Sequence, residues 1–67
     1  MKITKYFITQ VSNNQLQQGI DNVVRQRDEF IKLNKSDIAK IDEEDIKVES
    51  IPNHILLILK LTYYPQK

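Results

Sequence analysis

Cysteine is absent from this 67-residue chain. Disulfides therefore cannot brace the fold, and thiolate metal sites are excluded. Glycine occurs once, at Gly19, so no glycine-rich loop exists to cradle a phosphate. Proline occurs twice and histidine once. Neither charge sign dominates: ten Lys and Arg face nine Asp and Glu, for a formal net charge of +1. That balance offers no electrostatic argument for a nucleic acid or a membrane surface as partner. No apolar run approaches the roughly 20 residues of a membrane span. The opening Met1-Lys2-Ile3-Thr4-Lys5 lacks the apolar core of a signal peptide, and the expected location is cytoplasmic. The length predicts a single domain over 1–67, and so short a chain is marginal alone. With disulfides and thiolate metal sites excluded, a second subunit is the remaining common source of stability. The emphasis on Ile, Lys, Asn and Gln fits an AT-rich bacterial or phage genome.

What the chain does have is one strongly apolar run, Ile55 to Tyr64, placed between Pro52 and Pro65. Its first five residues are all aliphatic, so neither face of a strand here would be polar. The spacing predicts a buried central strand. At about 1.5–3 kcal/mol per buried aliphatic side chain, those five contribute roughly 7–15 kcal/mol.

Residues 2–11 are rich in β-branched and aromatic side chains and predict strand one. Ile3, Phe7 and Val11 share one face, and Tyr6 and Ile8 the other. Ser12 and Gln15 form a capping-box pattern that opens a helix running to about Asn34. Leu16, Ile20, Val23, Val24, Phe30 and Ile31 fall on its apolar stripe. Gly19 lies at the edge of that stripe, where a small residue permits close approach to a sheet. Residues 36–41 fit either a further helical turn or a loop. Asp42-Glu43-Glu44-Asp45 is expected to be a solvated loop or helix end. Residues 46–50 alternate and predict strand two; Ile51-Pro52-Asn53-His54 is a turn.

The expected fold is α+β: a two-layer β-α-β-β arrangement with a three-stranded mixed sheet in the order one-three-two. The long helix covers one face. Strands one and two run parallel through a helical crossover, and strand three closes a hairpin with strand two.

Few residues carry chemistry. Arg27 lies within the apolar stripe of the helix. Its stem can pack while its guanidinium reaches water. It can also form a buried ion pair with Glu43, Glu44, Asp45 or Glu49, or contact an anionic ligand. His54 stands in a turn without an orienting partner and suits neither general acid–base work nor metal binding. The acidic run lacks the alternation and the glycine of a calcium loop. Small β-α-β tautomerases use an N-terminal proline exposed by removal of Met; position 2 here is Lys. No nucleophile–base pair or metal cluster is visible, so the chain is expected to be non-enzymatic and to need no cofactor.

The function expected is that of a small interaction or regulatory protein. It would act through the sheet face that the helix leaves open, as a homodimer or by docking on a larger protein. Tyr6, Ile8, Leu56, Ile58, Lys60 and Tyr64 form that face, with Lys47, Glu49 and Lys60 at its rim. An apolar centre with a polar rim usually marks an interface. The alternative is a single-stranded nucleic-acid platform built on Tyr6, Tyr63 and Tyr64 with Lys5 and Lys60; no RNP-type motif supports it.

Overall fold

A computed structural model describes residues 1–66. The element order is β1 (Ile3–Ser12), α1 (Leu16–Leu33), a single 3-10 turn (Lys35–Asp37), β2 (Ile38–Ile51) and β3 (His54–Pro65). The fold is α+β, with one three-stranded sheet in the order β1-β3-β2.

Both pairings in that sheet are antiparallel, which corrects the expected mixed sheet. β1 and β2 do run in the same direction. They are never neighbours, because β3 lies between them and opposes both. Its central position follows from its residues. Leu57, Leu59, Leu61 and Tyr63 are buried on one side, and aliphatic residues continue on the other. Only a strand paired on both edges suits such a run.

Three boundaries also differ from expectation. The helix begins at Leu16, and Ser12 remains the last residue of β1. The Ser12 backbone N–H still donates to Gln15 Oε1 at 3.3 Å, so one half of the capping pattern forms. It closes a turn in which Gln15 N–H also donates to the Ser12 carbonyl at 2.9 Å. Strand two is 14 residues long, and the acidic run lies inside it. Residues 38–45 are strand, neither loop nor helix. Acidic residues are poor strand formers by themselves. Here β3 supplies a full-length template, and β2 is an edge strand whose side chains stay in water. Charge on an exposed edge also discourages pairing with foreign strands. The register slips at Ala39 and Asp42, each an extra residue on β2. Beyond Asp42 the pairing is regular down to Ile51 opposite His54. Pro52 and Asn53 make the two-residue turn, with Asn53 at φ 67°. Asn tolerates this left-handed conformation, and Pro at the preceding position fits a type II turn.

The helix packs on β1 and β3. Phe30 stacks at a tilt between Phe7, with centroids 5.6 Å apart, and Tyr63 at 5.9 Å. Val23 is completely buried with Leu57, Leu59 and Leu61. Gly19 sets the close approach at the other end: a Cβ there would lie 2.5 Å from Leu57 Cδ1 and 3.1 Å from Val11 Cγ2. A helix is about 10 Å across and strands are about 4.8 Å apart, so one helix covers about two strands. β2 is the strand left over. Ile46 and Val48 face the helix side, opposite Leu59 and Leu57, yet remain 40% and 47% exposed.

Candidate functional site

Register decides which side chains share a face, because directly paired residues point the same way. The buried row Leu57, Leu59, Leu61, Tyr63 places its paired residues on the helix side. The alternate residues therefore point outward. Reading across the sheet, Thr4, Thr62 and Glu43 form one outward row, and Tyr6, Lys60 and Asp45 the next. Ile8, Ile58 and Lys47 follow, and then Gln10, Leu56 and Glu49. Tyr64 continues the row on β3, opposite Lys40.

The six residues expected at an interface therefore come together on one face. Tyr6 and Ile8 are 58% and 54% exposed. Leu56, Ile58, Lys60 and Tyr64 are half-buried by their strand neighbours. The apolar part covers β1 and β3; the β2 flank is polar, with Glu43, Asp45, Lys47 and Glu49 in sequence. Lys47 reaches Glu49 at 3.7 Å. At one end the face is strapped. Lys2 Nζ lies 3.1 Å from Asp42 and 5.8 Å from the Tyr64 ring centroid, joining the two edge strands across β3. The hydrogen bond to Asp42, then its charge, raises the Lys2 pKa above the usual lysine value. Its contribution to stability is thus present at neutral pH and is lost only as pH climbs through that raised value. Next to the strap, Thr62 is buried, and its hydroxyl is 3.3 Å from that of Thr4.

Arg27 lies on the opposite side of the sheet. It projects from the flank of α1 toward the uncovered β2. Its Nη1 donates to both Glu44 carboxylate oxygens at 3.0 Å. Its Nε and Nη2 donate to Asp28 Oδ1, at 3.0 and 2.7 Å. The hydrogen bond to Asp28 and the charge of Glu44 raise its pKa further, so it stays charged. The side chain keeps 23% of its exposure and Glu44 keeps 38%, so the pair is partly solvated. Its donors are directed at two acids of the chain, which leaves little for an external anion.

The chemical capacity of the described residues is limited. Among them, no group of three or more His, Cys, Asp or Glu could hold a metal. His54 is exposed, with Nδ1 3.3 Å from the Pro52 carbonyl oxygen. No helix of the described residues is long and apolar enough to cross a membrane.

Family models, curated proteins and solved structures provide no match to this chain.

Two features of the site escape a strand-by-strand reading. One is the exact company of the apolar residues: Asp45 and Lys47 stand in the same rows as Tyr6 and Ile8 only because β3 sets both registers. The other is the bare helix side of β2, where Ile46 and Val48 point to the side of the sheet that carries the helix and still stay exposed. The clue available in the sequence was the count of helices. One helix cannot cover three strands.

Proposed function

We propose that this chain is a small non-enzymatic interaction protein whose outward sheet face is its working surface. In this reading the molecule has two layers, helix on one side of the sheet and nothing on the other. The carrying observation is the pairing of exposed Tyr6 and Ile8 on β1 with Lys60 and Ile58 on β3, beside half-buried Leu56. Apolar side chains side by side on a regular sheet, with charges along one edge, have the composition of an interface core and rim. A single-stranded nucleic-acid platform suits the face less well. Tyr6 and Lys60 would favour it, but Glu43, Asp45 and Glu49 line the same face and would repel phosphates.

The test is Ile58→Lys. A charge at the dry centre of a contact would be buried without a partner, which is strongly unfavourable. The variant should therefore lower the mass of the assembly that the parent forms, in light scattering, while far-UV circular dichroism shows the helix retained. A parent that stays monomeric at every accessible concentration and binds no protein would refute the reading.

A further inference from the structure

We infer that the occupant of the outward face is a second copy of this chain. The copies would meet face to face, with strands antiparallel about a two-fold axis. That axis runs across the strands, between the Tyr6–Lys60–Asp45 row and the Ile8–Ile58–Lys47 row. The inference rests on the reading of this face as an interface and adds the partner and the register.

The molecule is thin for its length. The radius of gyration is 13.3 Å, against about 10.9 Å for a compact 67-residue domain. A value of 13.3 Å belongs to a chain of roughly 110 residues. The accessible surface, 4866 Å², also exceeds the about 4,400 Å² typical of a folded protein of this mass. The Cα atoms span 44 × 19 × 11 Å, so the molecule is a slab. Stacking two slabs through the thin direction thickens the assembly and takes one broad face of each copy out of water. Sheets pack at about 10 Å, with strands aligned to within about 30°.

The outward face is also broad enough for a contact. About ten residues on each of three strands give a footprint of about 33 by 14 Å, or roughly 460 Å² in projection. Side-chain relief brings the accessible area toward the roughly 600 Å² per partner of small specific interfaces.

Charge along β2 sets the register. A two-fold contact must be self-complementary: if residue i meets j, then j meets i. Between Lys40 and Ile51 the β2 flank carries Glu43, Asp45, Lys47 and Glu49 on this face, a single cation among acids. An axis through the Lys47 row sets Lys47 on Lys47, and one through the Asp45 row sets Asp45 on Asp45. An axis parallel to the strands along β3 sets Lys60 on Lys60, and one between the Lys47 and Glu49 rows sets Lys47 on Glu49 but lays Ile8 on Gln10 and leaves Asp45 opposite Ile51 with no cation. An axis between the two rows instead sets Asp45 on the second copy's Lys47, twice. The same operation lays Tyr6 on the second copy's Ile8, and the Lys60 stem on its Ile58. Glu43 then approaches the second copy's Glu49 at the rim. Water screens that pair, and Lys47 already offsets Glu49.

The experiment is a charge swap between copies. Lys47→Glu and Asp45→Lys are made as separate chains, and circular dichroism verifies their folds. Each alone places like charges in contact twice, so self-association should weaken at least about tenfold relative to the parent. Mixed in equal amounts they form a heterodimer in which both contacts again unite opposite charges. Sedimentation and native mass spectrometry should therefore show the heterodimer at near-parental affinity. Intrachain effects of the substitutions cannot produce that preference. Lys47→Gln, which introduces no repulsion, should weaken association less and reduce its salt dependence. A monomeric parent overturns the inference. So does a mixture that associates no better than the single variants, or a Lys47→Gln chain that associates as the parent does. If Ile58→Lys still dissolves the parent assembly in the last two cases, the face is an interface and only the register falls.

Discussion

Gly19→Ala separates the local demands of the helix from those of the core. An alanine in a helix interior is favoured over glycine by about 1 kcal/mol. Here the added methyl would sit 2.5 Å from Leu57 Cδ1, 3.1 Å from Val11 Cγ2 and 3.5 Å from Leu57 Cδ2. Carbon atoms prefer about 3.5–4.0 Å, so Leu57 must retreat by about 1 Å. Leu57 is completely buried against Val23 and its strand neighbours and has little room to do so. Overpacking of this kind costs about 1–3 kcal/mol. The clash outweighs the propensity, and the net loss should be up to about 2 kcal/mol. At about 4–8 °C per kcal/mol for a domain this small, the melting temperature should fall by several degrees. The decisive comparison is the same change in a Leu57→Ala background. That substitution alone costs about 2–5 kcal/mol through lost burial and the cavity left behind. It also removes both Leu57 methyls, the 2.5 Å obstacle included, and leaves only Val11 Cγ2 at 3.1 Å, so Gly19→Ala should now be neutral or stabilising. The double-mutant cycle should give a coupling of about 1–3 kcal/mol. Urea melts followed by circular dichroism, at one fixed protein concentration, measure all four variants. A Gly19→Ala change that stabilises the parent, or has the same effect in both backgrounds, would refute close packing of Gly19 on Leu57.

Arg27→Met should cost about 1 kcal/mol or less, because a partly solvated ion pair contributes little and the aliphatic stem is kept; a loss above about 3 kcal/mol in urea melts would mean that Glu44 is stranded in a dry site. The turn supplies another test: Asn53→Ala should lose about 1 kcal/mol at its positive φ, whereas Asn53→Gly should hold stability, and equal behaviour of the two would refute a strained left-handed residue. The Ile58→Lys and charge-swap experiments address the outward face in the same way, through assembly mass.

The candidate face is assembled from residues more than 40 positions apart, and its legibility was uneven for that reason. Tyr6 and Ile8 are visible as an outward pair from alternation alone. So are Leu56 and Ile58. That Ile8 meets Ile58 depends on the ten-residue register between β1 and β3. Arg27 was recognisable as an oddity in an apolar stripe. Its choice of Glu44 was not, because an acid run read as a loop has no fixed distance to the helix.

Two patterns carried the fold in the sequence itself. The aliphatic run at 55–59 demanded a strand buried on both edges, and the period of apolar residues from Leu16 to Ile31 demanded a helix against it. Both are local consequences of side-chain spacing, and from them follow the α+β class and the central place of β3. Tertiary structure decided the rest. The acidic residues 42–45 became strand because β3 offered backbone partners that no local propensity could foresee. All neighbouring strands became antiparallel because β3 separates β1 from β2. Ile46 and Val48, spaced as core, stayed in water because one helix is only about two strands wide.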